Sequence, residues 1–470
     1  MARAISFCVA YLLFSTPLIL ALPSVPRQLC HRASDNKHVI AHHMVGNTYP
    51  YTLSNWQSDV SLAHSKCLDA FALNMGSDSW QPDRVADAYN AAQQSNTGFK
   101  LFLSLDMSSL PCSTADHAKA LRNLTTTFIS RPSQLIYNGH AVVSTFAGEA
   151  CTFGQANSQS GWDTQFANHP DLKGKIYFMP SFFVAPNQIS QYSNVLDGYF
   201  NWNAGWPTSL TSSDAGNAEN DLNTFVYSMQ ADKSFLDVLN SMSPGRGYMA
   251  PVSPWFFTHY GPNSFNKNWI YLADWHLYNK RWQTLIANRT QFDFVQLLTW
   301  NDYGESHYVG PIEGAQPNSQ AWVNGFDHTG WLSMACYYAT AFKTGTYPPI
   351  TSDQIYMWSR PHAAKATASN DPVARPTNAD LTQDRVWVVV MATQASKAVL
   401  STDSTLAQKQ TFDAPAGVTL LSVPITPGGI MYGEIQRGGN TVVKLQPQGF
   451  VFNGSPVTYN FNALVASAST

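Results

Sequence analysis

Between residues 38 and 345 the sequence alternates short apolar runs rich in β-forming residues with longer segments of helical periodicity. In PDRVADAYNAAQQSN, for example, Val85, Tyr89 and Ala92 recur at the spacing of one helix face. Such alternation favours parallel strands joined by crossover helices, and eight repeats make a (β/α)8 barrel. The eight runs are HVIAHHMVG, LDAFALNMG, FKLFLSLDM, HAVVSTFAG, KIYFMPSFFV, VLDGYFNWN, YMAPVSPWFF and DFVQLLTWND.

After the segment TGTYPPITSD the pattern changes to short strands without intervening helices. The apolar runs VWVVVMAT, VTLLSVPI, GIMYGEIQRGGNTVVKL and PVTYNF are bounded by Gly and Pro, and Gly438 with Gly439 predicts a hairpin turn. This arrangement is typical of an antiparallel β-sandwich. We therefore predict a barrel over residues 22–350 and a β-sandwich over residues 351–470, a size that 470 residues can accommodate.

The N-terminal residues 1–21 have the pattern of a signal peptide: a basic residue, an apolar stretch and a small residue before a Pro-bearing segment. No second apolar run is long enough to span a bilayer, so we expect secretion to the extracellular space or cell wall. Three N-x-[ST] sequons, at Asn123, Asn288 and Asn453, agree with passage through the secretory route.

Five cysteines follow the signal segment, and an oxidising compartment predicts two disulfides and one leftover thiol. Cys112 and Cys151 each follow the end of a predicted strand on the same side of the barrel, so we expect them to pair. That leaves Cys30 to pair with Cys67.

Charge and composition point to a neutral partner. With 27 Lys+Arg against 30 Asp+Glu, the chain has no excess charge that would attract nucleic acid or an anionic membrane. Aromatic residues make up 13% of the chain, with 14 Trp, and their ring faces can stack against the C–H face of a sugar. A large barrel core also contains many aromatic rings, so this signal alone does not decide the partner.

Catalytic groups of a barrel enzyme lie at the C-terminal ends of the strands. The densest acidic cluster there is WNDYGESHY, where Asp302 and Glu305 are three residues apart and Gly304 permits a tight turn between them. Cleavage of a glycosidic bond needs two carboxyl groups, one as acid and one as base or nucleophile. The alternative is that these acids only accept backbone N–H bonds and hold the loop.

Other motifs give weaker indications. His42 and His43 are adjacent in a strand, so they point to opposite faces and cannot bind one metal ion together. We expect one of them, His43, to face the barrel mouth and the other to pack outward. Asp69 lies in an apolar strand, where we favour a bracing role. No GxSxG, HExxH or Walker-type motif stands in a suitable context, and no metal or cofactor is predicted.

With these residues in view, the chain resembles glycoside hydrolase family 71, the fungal α-1,3-glucanases or mutanases. The resemblance implies endo-acting hydrolysis of α-1,3-glucan with inversion, with Asp302 and Glu305 essential and Asp69 important. We interpret Glu305 as the acid and Asp302 as the base, while the opposite assignment stays open. An inverting pair, of these two or of one with Asp106, should stand about 6.5–9.5 Å apart. The matching stretches are HVIAHHMVGNTYPYT, LDAFALNMGSDSWQPDRV, FKLFLSLDMSSLPC, STFAGEACTFG, FFTHYGPNSFNKNWIY and LLTWNDYGESHYVGP.

The expected partner is a neutral α-glucan, and the expected state is a secreted monomer. Two alternatives are a barrel glycosidase acting on another glucan linkage and a non-catalytic wall protein that only binds glucan. The residues expected to contact substrate, besides the catalytic pair, are His43, Asp69, Asp78, Trp80, Asp106, Glu149, Trp202, Trp206, His259, Tyr260, Trp300, Asn301, His307 and Tyr308.

Overall fold

A computed structural model of the chain describes residues 37–470. The predicted signal peptide, residues 1–21, and Cys30 lie outside these described residues. None of the helices between residues 37 and 470 combines the length and apolar character needed to cross a membrane.

Helices and strands alternate through the first three quarters of the described chain. The strands are β1 His38–Met44, β2 Ala70–Met75, β3 Lys100–Asp106, β4 Ile136–Tyr137, β5 His140–Phe146, β6 Ile176–Phe178, β7 Gly198–Phe200, β8 Gly247–Val252, β9 Phe257–His259, β10 Asn268–Ile270 and β11 Phe294–Leu297. The helices are α1 Leu53–Ser65, α2 Gln81–Gln94, α3 Ala115–Ile129, α4 Ser158–Trp162, α5 Ala218–Tyr227, α6 Gln230–Ser241, α7 Leu277–Ala287, α8 Gln320–Val323 and α9 Thr329–Thr344.

Eight of these strands form one curled parallel sheet in the order β6, β5, β3, β2, β1, β11, β8, β7. Each of the eight predicted runs contains one of them, so the strand prediction is confirmed. The segments at the two edges also meet, because the Asp197 amide donates to the Phe178 carbonyl (2.9 Å) and the Phe200 amide to the Pro180 carbonyl (2.9 Å). All eight carboxyl ends therefore open toward one side.

Most positions of β1, β2 and β3 are buried on both faces, because helices cover the outside of the sheet and side chains fill its inside. The amphipathic segments form the expected helices, such as α2 with Pro82 in its first turn. Helix α3 is capped by the Thr114 hydroxyl, which accepts from the His117 amide.

Residues 351–470 contain eight further strands: β12 Gln354–Ser359, β13 Arg385–Ala392, β14 Ser396–Ser401, β15 Gln410–Ala414, β16 Gly417–Pro424, β17 Tyr432–Arg437, β18 Asn440–Leu445 and β19 Leu464–Ser469. They form two antiparallel sheets, ordered β16-β13-β12-β19 and β15-β14-β17-β18. Side chains from both sheets, including Ile355, Val388, Leu400 and Ile435, share one apolar core. The predicted hairpin at Gly438 joins β17 to β18.

The predicted strand PVTYNF is wrong, because its backbone bonds residues 362–371 and, at Phe461, the parallel-sheet region instead of a neighbouring strand. The indole N–H of buried Trp255 donates to the Phe461 carbonyl (2.9 Å). Nearby, one ring nitrogen of His328 lies 2.8 Å from the Tyr308 carbonyl and the other 2.9 Å from the Ala463 carbonyl. The C-terminal strands are thus bonded tightly to the remainder of the structure.

Two disulfides join described cysteines. Cys112 pairs with Cys151, as expected from their positions after predicted strands. Cys67, however, pairs with Cys336 on α9, not with Cys30. The sequence separation of 269 residues hides this pair, which forms because the end of α1 and the middle of α9 lie side by side.

Candidate active site

The loop after β11 carries the WNDYGESHY motif in a fixed conformation. Its two arms are held by backbone bonds from the Thr299 amide to the His307 carbonyl (2.6 Å) and from the Val309 amide to the Thr299 carbonyl (2.9 Å). Between them Tyr303–Glu305 form one 3-10 turn. The loop therefore brings Asp302, Glu305 and His307 to the same side.

Asn301 fastens this loop to the end of β1. Its side-chain oxygen accepts from the Met44 amide (2.7 Å) and its side-chain nitrogen donates to the Met44 carbonyl (3.1 Å). Its own carbonyl accepts from the Asn47 side chain (2.9 Å). Asn301 is fully buried, so it positions its acidic neighbour and is not itself open to substrate.

His307 lies between the two predicted catalytic carboxylates. Its Nε2 atom is 3.0 Å from Asp302 Oδ2 and 3.3 Å from Glu305 Oε2. The imidazole is fully buried, whereas the two carboxylates are 14% and 18% exposed, so only the acids are open to a ligand. The sequence prediction that this motif brings two carboxyls together agrees with the geometry.

Lys267 is the member of the site that sequence reasoning missed. It lies in the loop between β9 and β10, and its ammonium is 2.9 Å from Glu305 Oε1. The available signal was a single Lys within the aromatic segment FFTHYGPNSFNKNWIY, but nothing in the spacing connects it to Glu305. Tertiary folding alone brings the two together.

The electrostatic environment makes Glu305 a strong anion. Burial alone raises the pKa of Glu305, but the hydrogen bond and positive charge of His307, with the ammonium of Lys267, outweigh burial and lower that pKa to about 2. Conversely, burial lowers the pKa of His307, but Asp302 and Glu305 raise it to about 9. His307 is thus a cation and Glu305 an anion at neutral pH, so the interpretation of Glu305 as general acid does not fit this site.

Gly304 is required for a reason other than the predicted turn freedom. A Cβ atom at this position would lie 2.5 Å from the hydroxyl of Tyr260, which itself donates to the Pro317 carbonyl (2.5 Å). The left-handed backbone position in the loop is Ser306, with φ 57°. Gly304 therefore allows the catalytic turn to pack directly against Tyr260.

Aromatic rings form the wall behind the carboxylates. The ring centroids of Trp206, Phe256 and Trp202 lie 5.2, 5.5 and 6.1 Å from that of His307. Tyr271 packs on both Trp206 and Phe256. The predicted contacts Trp202 and Trp206 therefore lie beside the site, although both are largely buried.

Three further predicted acids lie at the carboxyl ends of other strands. Asp106 ends β3, and its charge, like those of Glu305 and Asp302, raises the pKa of Lys267 against the lowering effect of burial. The Glu149 carboxylate accepts the Phe183 amide (3.0 Å), and Asp78 Oδ2 accepts from the Gln81 side chain (2.9 Å). Of these three acids, Asp106 is therefore the one that lies close enough to influence Lys267, the partner of Glu305.

The roles predicted for the paired histidines are exchanged. His43 is fully buried outside the sheet, where its Nε2 atom lies 3.1 Å from Asp59 of α1. His42 points inward, bonded to Gln296 (2.9 Å) and close to Trp202. Burial and the nearby charge of His307 lower the pKa of His42 to about 3, so it stays neutral. Strand alternation predicts that the two histidines face opposite sides of the sheet, and the packing of α1 decides that His43 is the one that faces outward.

Asp69 lies at the opposite end of the sheet from the catalytic loop. It precedes β2, where it accepts the Val39 amide (2.8 Å) and pairs with Lys343 (2.8 Å). The strand separates it from the carboxyl end by roughly 20 Å. Asp69 therefore braces the N-terminal ends of the strands and does not meet substrate there.

Three more predicted contacts serve packing. Trp300 is buried against Phe71, and Tyr308 is buried against His328. His259 is largely buried and pairs with Asp371 of the C-terminal region (3.0 Å). These side chains hold the loop and its surroundings rather than facing the opening.

Asp302, Glu305 and His307 also have the spacing of a three-ligand cation site, since their ligand atoms lie within 4.8 Å of one another. However, the proton on His307 and the ammonium of Lys267 already balance both carboxylates. A metal ion would have to displace both positive charges.

The predicted sequons differ in accessibility. Asn123 and Asn453 are exposed, whereas Asn288 is half-buried and its side-chain nitrogen donates to the Thr284 carbonyl (2.9 Å). Glycosylation at Asn123 and Asn453 would require no rearrangement. All three glycosylation sites stay predictions.

Comparison with known proteins decides the family. The sequence profile described as Glycosyl hydrolase family 71 matches residues 35–470. The chain belongs to this family. Similar proteins include a glucan endo-1,3-alpha-glucosidase of Schizosaccharomyces pombe, 39% identical over 95% of this chain and 98% of the relative. A mutanase of Penicillium rubens is 32% identical over 95% and 92%, and an ascus wall endo-1,3-alpha-glucanase of S. pombe is 35% identical over 92% and 97%.

Proposed function

We propose that this family 71 hydrolase is a secreted endo-acting enzyme that cleaves α-1,3-glucosidic bonds in α-1,3-glucan. The observation that carries the proposal is the partly exposed pair Asp302 and Glu305, held around one buried imidazolium beside aromatic walls. The names of two of the relatives supply the linkage. A neutral polymer also agrees with the formal charge of −3.

Glu305 is the base in this proposal. Its pKa of about 2 keeps it ionised, so it can take a proton from an attacking water but cannot give one to the leaving oxygen. Lys267 and His307 hold the carboxylate in place. Asp302 shares the imidazolium with Glu305 and keeps it charged.

The spacing of the carboxyls bears on stereochemistry. A ligand oxygen of Asp302 lies within 4.8 Å of one of Glu305, which is closer than an inverting pair requires. Inversion, which the family resemblance implies, therefore needs another acid. We assign that role to Asp106, whose Oδ2 atom has a single side-chain contact, Asn74 at 3.3 Å. If products are retained in configuration, Glu305 is instead the nucleophile, and Asp302 must take up a proton to act as the acid.

The fold proposed for this activity is a (β/α)8 barrel over residues 37–350 followed by a β-sandwich over residues 351–470. The eight parallel strands, the hydrogen bonds joining β6 to β7 and the shared core of the two C-terminal sheets support it. In such a barrel the cluster lies at the catalytic end.

The test measures reducing sugar released from insoluble α-1,3-glucan by wild type and by Asp302→Asn, Glu305→Gln and Asp106→Asn. We expect each substitution to lower kcat by about 10²–10⁴-fold. Glu219→Gln, at an exposed acid on α5, serves as the matched control and should behave as wild type. Near-wild-type activity in folded Glu305→Gln would refute the assignment, and NMR of the first product anomer separates Asp106 from Asp302 as acid.

The two alternatives are separated by a panel of glucans. Preferred cleavage of α-1,4- or β-1,3-glucan would support a glycosidase of another linkage. Retention on α-1,3-glucan without product release would support a wall-binding protein. The ionised, doubly paired Glu305 favours catalysis, because sugar binding alone does not need a buried imidazolium between two acids.

A further inference from the structure

An exposed aromatic pair lies outside the catalytic cluster but in loops at the same carboxyl ends of the strands, here called the rim. Tyr49, in the loop after β1, is 68% exposed, and Trp80, in the loop after β2, is half-buried. Their ring centroids are 5.2 Å apart with planes at 78°. An edge-to-face pair leaves ring surface open to a ligand, which a stacked pair would cover.

The backbone beneath both rings is held in place. On the Tyr49 side, the Thr48 hydroxyl donates to the Val45 carbonyl (2.7 Å) and the Tyr51 amide to the Thr48 carbonyl (2.9 Å). On the Trp80 side, the Gly76 amide donates to the Gln81 side chain (2.6 Å). Rigid support means that little conformational entropy is lost when a ligand binds there.

The same loop is bonded directly to the catalytic motif. Asn47 donates to the carbonyl of Asn301, the residue before Asp302, and its own carbonyl accepts the Ala315 amide (2.8 Å). Tyr49 is two residues from Asn47, which the chain can span in at most about 7 Å. The aromatic pair is therefore on the rim around the catalytic carboxylates, a few sugar units from them.

A single exposed aromatic needs no functional explanation, and the chain offers such a case. Tyr227 is 59% exposed at the C-terminal end of α5. Tyr49 differs from it in two respects: it has an aromatic partner, and its loop is bonded to the catalytic motif. Exposed polar groups also adjoin the pair, namely Ser77, Asp78 and Ser109, which can bond sugar hydroxyls.

We propose that Tyr49 and Trp80 form an outer subsite that stacks on a glucose unit of the glucan chain away from the cleaved bond. This subsite rests on the proposed function for its ligand. It would bind long chains more strongly than short ones, because only a chain that reaches from the carboxylates to the rim makes the contact.

The experiment measures kcat/KM on α-1,3-linked oligosaccharides of increasing length for wild type, Tyr49→Ala and Tyr49→Phe. We expect Tyr49→Ala to lower kcat/KM about tenfold on chains long enough to reach the rim, mainly through KM, and to leave the shortest cleaved substrate unchanged. Tyr49→Phe keeps the ring and should retain most of the wild-type value. Tyr227→Ala is the control and should match wild type at every length.

The subsite is refuted if Tyr49→Ala matches wild type at all lengths or loses activity equally at all lengths. Failure of the proposed function has a different result. If wild type cleaves a glucan of another linkage, the oligosaccharides of that linkage provide the length series. If it cleaves none, binding to insoluble α-1,3-glucan is measured instead. The subsite is refuted if Tyr49→Ala is retained on this glucan as strongly as wild type.

Discussion

Replacing His307 by Gln tests whether the buried imidazolium keeps Glu305 ionised. Gln keeps a polar side chain but removes the positive charge that lies 3.0 Å from Asp302 and 3.3 Å from Glu305. Loss of one partner from a buried ion pair costs about 3–5 kcal/mol. Because Lys267 remains, we take about 3 kcal/mol, which corresponds to roughly two pKa units. The pKa of Glu305 should therefore rise from about 2 to roughly 4.

The assay is the pH dependence of kcat/KM on a soluble oligosaccharide that wild type cleaves. Activity that depends on ionised Glu305 is lost as pH falls through its pKa, so the acid limb should move up by about two units in His307→Gln. His169→Gln is the control, since His169 pairs with Asp171 at the surface. An unchanged acid limb in folded His307→Gln would show that this histidine does not set the charge of the base.

Stability gives a second readout of the same substitution. The pKa of His307 is raised to about 9, so its stabilising contribution is complete below about 6.5 and is lost as pH rises through about 9. The difference in unfolding free energy between wild type and His307→Gln should shrink over that interval. A difference that stays constant between pH 6 and 10 would contradict the assigned charge.

Three other perturbations have definite expectations. Lys267→Met should move the acid limb in the same direction as loss of His307 but by about one unit, because this lysine is 46% exposed and water screens its charge; no movement would exclude it from the site. Gly304→Ala should lower kcat by more than tenfold and recover in part when Tyr260 is also changed to Phe, since the added Cβ meets the tyrosine hydroxyl; undiminished kcat in the single variant contradicts the packing. Removing the Cys67–Cys336 disulfide should lower the unfolding free energy by about 2–4 kcal/mol in urea titrations, and an unchanged midpoint would refute that contribution.

Local pattern was enough to predict the strands and the position of the acidic motif. Period and composition located all eight parallel strands, and the position of Asp302 and Glu305 after the last of them placed the acids at the carboxyl ends. These features are encoded within about ten consecutive residues. The hairpin at Gly438 is predictable for the same reason.

What could not be predicted depends on contacts between distant segments. Lys267 reaches Glu305 from another loop, and Cys67 meets Cys336 through helix packing. The pKa of Glu305 depends on Lys267 as well as on His307. Because Lys267 lies outside the motif, the acid and base roles could not be predicted from the motif alone. The inward histidine of β1 is His42 because α1 covers the other face, a fact that alternation alone does not contain.

The bonds between the C-terminal strands and the first part of the chain affect how this protein can be divided. A fragment ending near residue 350 would leave the Trp255 indole without the Phe461 carbonyl and His328 without that of Ala463, and would uncover the apolar cluster to which Phe461 and Val465 belong. Each lost hydrogen bond costs about 0.5–1.5 kcal/mol, and the uncovered apolar surface adds to that cost. A fusion protein that is to carry the parallel-sheet region should therefore contain residues 37–470 and not end near residue 350.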